Sequence, residues 1–249
     1  ILSVLLIAMG TGCGSSGQGD AQSGEEKVVQ VGIVQYMDHV ALDAARQGFV
    51  DALSDNGYVD GENIKIDLQN AQGDQSNLST ISDRFVSNNM DLVLAIATPA
   101  TQAVAGKTTE IPILGTAVTD YVAARLVDSN EAPGGNVTGT TDMNPIKEQI
   151  DLLTKLVPDA KTVGVLYTSS EDNSIIQAGL AKEAIEALGL KYVEVTVTNS
   201  NDVQQATQSI VSQCDAIYIP TDNVFASAMP VVHGVTAASK TPVICGESG

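Results

Sequence analysis

From residue 28 onward, short continuous apolar runs alternate with longer stretches whose apolar residues recur every three or four positions. Runs of the first kind read as buried strands, and the second as helices packed by one face. Residues 28–34 (VVQVGIV) read as a strand. Over 40–53, Val40, Ala44, Ala45, Phe49 and Leu53 share a helical face that ends at Asn56-Gly57. Ile64, Ile66 and Leu68 alternate as a strand, and 75–88 is a helix with Leu78, Ile81, Phe85 and Val86 on one side. A strand at 91–97, a short helix at 98–106 and a strand at 111–114 follow. This βαβαβαβ order predicts a parallel sheet covered by helices on both faces.

The stretch 132–141 (APGGNVTGTT) breaks the rhythm and reads as connecting structure with a short strand at 136–139. The alternation then restarts. Helices are expected at 146–156, 172–188, 202–211 and 223–238, the last broken by Pro230, and strands at 162–167, 192–197, 216–219 and 242–245. Two consecutive α/β units imply two lobes facing a cleft. The first is expected over 28–124 and the second over 125–245 including the crossover, with 246–249 beginning a return to the first. The chain reads as clipped at both ends.

The first 27 residues differ in kind. Residues 1–9 (ILSVLLIAM) are continuously apolar but too few to span a bilayer, which needs about 20. With Gly10, Thr11 and Gly12 before Cys13, they match the apolar region and cleavage site of a secretory signal. The pattern resembles a bacterial lipobox, in which Cys13 becomes the lipid anchor; Gly10 stands where that pattern favours Leu. Residues 14–27 are rich in Gly, Ser and Gln and read as a flexible tether. The expected location is extracytoplasmic, lipid-anchored to a bacterial membrane.

Charge and motifs remove several functions. Thirty acidic against 12 basic residues give a net charge of −18, which excludes a nucleic-acid partner because phosphates demand Lys and Arg. Cys214 and Cys245 are too few for a disulfide scaffold and read as separate buried thiols, with a bridge left open. His39 and His233 read as structural. No nucleophile elbow, phosphate loop or closely spaced metal-ligand set occurs, so neither catalysis nor a cofactor or metal is expected.

In open α/β sheets, ligands lie beyond the carboxyl ends of the strands. Those positions carry Gln35, Tyr36, Thr98, Thr101, Thr119, Asp120, Ser170, Glu171, Asn173, Asp222, Asn223 and Glu247. Hydroxyls at helix starts, beside free backbone N–H groups, suit an anion. Glu171, Asp222 and Glu247 suit a cationic amine, and Tyr36 is an aromatic suited to stacking. A zwitterionic amino acid satisfies both charge types. Each Ser, Thr, Asp or Asn taken alone also serves as a helix N-cap.

The segments VGIVQYMDHVALDAARQGFVDAL, ATPATQA, GTAVTD, GGNVTGTTDMNPI, GVLYTSSEDNS and PTDNVFASAMP resemble ABC transporter substrate-binding proteins of the tryptophan/tyrosine-importer type. The resemblance implies a type I periplasmic-binding-protein fold whose lobes close on a small molecule and dock on a permease driven by an ATPase. It implies an aromatic amino acid as ligand. With strand-end position added, Thr98 and Thr101 are candidates for its carboxylate, Asp222, Asn223, Glu171 and Asn173 for its amine, and Tyr36 for its ring. A ligand-sensing lipoprotein serving a membrane receptor is the alternative. A transcription regulator's effector domain shares the fold but calls for basic charge and a DNA-binding helix.

Overall fold

The computed structural model describes residues 28–247. Its first half contains β1 (Val29–Gln35), α1 (Val40–Asp55), β2 (Ile64–Asn70), α2 (Gln75–Ser87), β3 (Leu92–Ile96), α3 (Thr98–Ala105), β4 (Ile113–Val118) and β5 (Val137–Thr141). The five strands form one parallel sheet in the order β2-β1-β3-β4-β5. The second half contains α4 (Ile146–Leu156), β6 (Thr162–Thr168), α5 (Asp172–Ala187), β7 (Lys191–Val197), α6 (Val203–Ile210), β8 (Ala216–Ile219), α7 (Asn223–Ser227), α8 (Met229–Ser239) and β9 (Val243–Cys245). These strands form a second parallel sheet, β7-β6-β8-β9. This is the expected α/β architecture of two parallel sheets flanked by helices.

Each half has its own core. Val31, Ile33, Val34, Phe85, Val93, Ile96 and Ile113 build the first. The second sheet separates two cores by strand alternation: Leu166 and Ile217 face α6 and α7, whereas Val165 and Tyr218 face α4 and α5. Successive strand residues point to opposite faces, so this one-residue offset decides which core each joins. Met37, just beyond β1, packs against both the first core and the α6/α7 core of the second half.

Strand β5 departs from the sequence reading, which put it with the connection and the second lobe. Its hydrogen bonds lie with β4, so residues 137–141 belong to the first sheet and the chain crosses over after Thr141. Two glycines make the pairing possible. A side chain at Gly115 would sit 2.6 Å from the Tyr121 hydroxyl, and one at Gly139 would collide with the Gly115 carbonyl and with Tyr121. The Gly- and Thr-rich composition that reads as a loop is therefore a strand thinned to admit Tyr121.

Pro230 acts as expected. The helical stretch divides at Ala228, and α8 restarts with the proline in its first turn, where its missing N–H is not needed. Cys214 and Cys245 are free and half-buried.

Candidate functional site

The carboxyl ends of the strands in both sheets converge on a cavity of about 760 Å³. Its walls include Thr116, Thr140 and Thr141 from the first sheet, His39 at the start of α1, Asp142 and Asn144 from the crossover, and Thr221, Asn223 and Glu247 from the second half. Among the described residues, no Lys or Arg lines it.

The backbone is strained where the first sheet meets this space. Ala97, between β3 and α3, has φ of 85°, and Ala117, at the irregular end of β4, has φ of 54°. Such non-glycine residues cost about 1–3 kcal/mol each and cluster at functional sites.

Glu171 is the chemically distinctive group. It lies fully buried at the start of α5. Its Oε2 accepts from Asn223 Nδ2 at 2.5 Å and from Asn173 Nδ2 at 3.3 Å, while Oε1 has no partner. Burial, and then the neighbouring Asp222 charge, push its carboxyl up to about 8. Among the described residues, the buried side-chain atoms left unpaired are Gln35 Oε1, Asp142 Oδ1, Glu171 Oε1 and Asn173 Oδ1. All four are acceptors. A buried acceptor without a donor costs about 1–3 kcal/mol; of these residues Asp142 lines the cavity, and Glu171 adjoins it through Asn223, which lines it as well.

The other acidic residues divide by their partners. Asp222 is buried and accepts from Thr168 N at 2.6 Å, Thr168 Oγ1 at 2.8 Å and Phe225 N at 2.9 Å. Burial raises its carboxyl too, but both oxygens are taken, and its geometry is that of an N-cap to α7. Burial raises Asp142, with the Thr119 hydroxyl partly offsetting it. Glu247 is raised by burial and by the charges of Asp142 and Asp222.

The remaining sequence candidates scatter. Gln35 is buried, donating to Met37 O at 2.9 Å and Asp43 Oδ1 at 2.8 Å. Tyr36 lies in the first core with its hydroxyl on Gly73 O at 3.2 Å, so its ring is already packed by protein. Thr98 Oγ1 accepts from Thr119 N at 3.4 Å, and the Thr101 hydroxyl donates to Ala97 O at 3.1 Å. Asp120 accepts from the Val122 and Ala123 N–H groups and lines a separate cavity of about 410 Å³ with Tyr121 and Thr138. Ser170 is exposed and turned to Thr198 O at 3.2 Å. Cys13 lies outside the described residues.

Three side chains gain roles that sequence reasoning did not assign. His39 Nε2 meets Asn223 Oδ1 at 3.3 Å, joining the two halves; burial lowers its pKa and favours the neutral ring. Gln177, mid-helix in α5, is fully buried. It donates to Thr119 Oγ1 at 3.3 Å and Thr221 O at 3.1 Å, and accepts from Thr221 N at 3.2 Å. Asp142 follows β5, a strand end hidden while that segment reads as connection. For Gln177 no sequence signal existed, because an interior helix position with neighbours from other elements is visible only in space.

This geometry has counterparts. The family model for ABC transporter substrate-binding proteins matches residues 30–249. The chain belongs to that family. It is 44% identical over 255 residues to a tyrosine-binding protein of Clostridioides difficile, covering all of this chain and 74% of that one. Among solved structures it resembles a Streptococcus ABC domain in complex with L-Trp, at 40% identity and a TM-score of 0.84 over 88% of this chain and 74% of that one. It also resembles the ligand-free, open form of a Clostridium difficile substrate-binding protein, at 48% identity but a TM-score of 0.62 over 89% and 75%. The family is one of binding and transport proteins, as the resemblance of the quoted segments implied.

Proposed function

We propose that this protein captures an aromatic amino acid, tyrosine or tryptophan, between its lobes outside the cytoplasm and delivers it to an ABC permease driven by an ATPase. The observation that carries this reading is Glu171: a buried carboxyl with one unpaired oxygen, beside the unpaired Asn173 Oδ1. An α-ammonium supplies up to three donors and the positive charge that the cleft lacks. Burying a charge is tolerable only when it is paired, so the amine and Glu171 satisfy each other. For the carboxylate, α3 begins directly after β3, so its N-terminus, with its partial positive charge, lies at the carboxyl end of that strand.

Lobe closure completes the site. The higher identity goes with the lower score for the open form, and the lower identity with the higher score for the L-Trp complex. A change of hinge angle reduces whole-chain superposition without touching sequence kinship. The hydrogen bonds His39–Asn223, Gln177–Thr119 and Gln102–Asp172 join the two halves in this arrangement. Ligand favours closure only by binding the closed form better.

Cys13 is proposed as a diacylglyceryl anchor holding the body to the membrane through residues 14–27; membrane fractionation of the wild-type and Cys13→Ser chains tests that half. The ligand is tested by calorimetry of the full-length protein against the twenty amino acids. Tyrosine or tryptophan binds, and Glu171→Ala weakens it at least about tenfold, the scale of one buried charged hydrogen bond. Tight binding of a different ligand class, with none of the aromatic amino acids, would sink the assignment.

A further inference from the structure

We propose that Asp142 is the specificity residue of this cleft, selecting aromatic amino acids whose ring carries a hydrogen-bond donor and rejecting phenylalanine. The inference rests on the aromatic amino-acid reading above and concerns the ring rather than the amine.

Asp142 is the first residue after β5, where the chain leaves the first sheet for the second half. Its Oδ1 is buried and unpaired, and the residue lines the 760 Å³ cavity. Three other polar side chains on that wall are already hydrogen-bonded within the protein. Gln149 donates to Gly246 O at 3.2 Å and accepts from the Tyr218 hydroxyl at 2.7 Å. Asn144 donates to Thr221 Oγ1 at 2.8 Å, and the Thr141 hydroxyl donates to Thr119 O at 2.7 Å. Asp142 thus contributes to the cavity wall a carboxylate with one oxygen that no protein donor satisfies.

On that reading the amine pairs with Glu171 and Asn173, at the start of α5 in the second half. An acceptor on the crossover is then left for the far part of the ligand. A phenol O–H or an indole N–H donates to it; a phenyl edge does not, and leaves a carboxylate desolvated without a partner. Glu247 lines the same cavity, so a ring without a donor also leaves two acidic groups facing apolar carbon. Sites that hydrogen-bond a substrate hydroxyl reject the analogue lacking it by large factors, because the buried partner is stranded.

The test is a cycle of two ligands and three proteins, with tyrosine and phenylalanine titrated into full-length wild type, Asp142→Ala and Asp142→Asn, each first shown to melt cooperatively. Wild type is expected to favour tyrosine by about 100-fold or more. In Asp142→Ala the ratio falls below about tenfold, chiefly through weaker tyrosine binding, while phenylalanine holds its affinity or gains. Asp142→Asn keeps an acceptor of the same shape and gives an intermediate ratio. Equal binding of both ligands by wild type overturns the proposal. So does an equal loss of both in Asp142→Ala, which would mark Asp142 as an ammonium partner. If wild type binds tyrosine, tryptophan and phenylalanine not at all, the aromatic reading itself fails, and that outcome is distinct from the other two.

Discussion

Glu171 and Asp222 show how two buried carboxyls, each at the N-cap of a helix, acquire different work. Asp222 is surrounded by donors and holds α7 to the end of β6. Glu171 has only side-chain amides and an unpaired oxygen. Its folded value, about 8, lies above its ordinary value of 4.5. The folded protein therefore binds this proton more tightly than the unfolded chain. The stability it contributes is full below about pH 4.5 and is lost as pH rises through about 8. Ligand-free wild type is expected to lose melting temperature between about pH 5 and pH 8 relative to Glu171→Gln, whose neutral amide has no proton to lose. Parallel pH–Tm curves for the two proteins would refute this.

At the scale of elements, the pairing of β4 with β5 governs where the cleft floor lies. The pair leaves no room for a side chain at Gly139, against the Gly115 carbonyl and Tyr121. Gly139→Ala is expected to splay the edge of the first sheet and destabilise it by about 1–3 kcal/mol, as overpacked sites do, seen as a lower denaturant midpoint. It should also displace Asp142, three residues on, so ligand affinity falls with stability. A substitution at Gly48, an exposed helix position with nothing near its would-be side chain, serves as the control. The hydrophobic period made nearly every strand and helix legible in the sequence, because apolar runs and 3.6-residue spacing report burial directly. Strand β5 was half-legible: its glycines and threonines signal a loop locally, and only Tyr121 above it explains why a thin strand is needed.

The whole molecule is two α/β halves joined by a crossover and by a few polar contacts, which on the proposed closure reading bias the closed arrangement. Gln102 on α3 donates to Asp172 on α5 at 2.8 Å. Removing one such hydrogen bond costs about 1 kcal/mol. Gln102→Ala is thus expected to raise the apparent Kd by up to about fivefold by lowering the closed fraction. Its radius of gyration without ligand, by small-angle scattering, should increase, with the thermal midpoint little changed. An unaltered Kd together with unaltered scattering would show that this contact does not bias closure.

The sequence by itself determined the two α/β units, the strongly negative net charge and the set of strand ends from which the cleft is built. It did so because burial, charge and turn chemistry are local properties of composition and period. It also placed Glu171, Asn173 and Asn223 among the candidates, since all three follow strands. Only the tertiary structure decided which candidates were free to act. It packed Tyr36 into the core, turned Ser170 outward, gave Asp222 a helix cap and left Glu171 with an unpaired oxygen, and it added Asp142, which the sequence had not offered. The physical reason is that a side chain's availability depends on whether its hydrogen bonds are already satisfied, and its partners here lie tens of residues away along the chain.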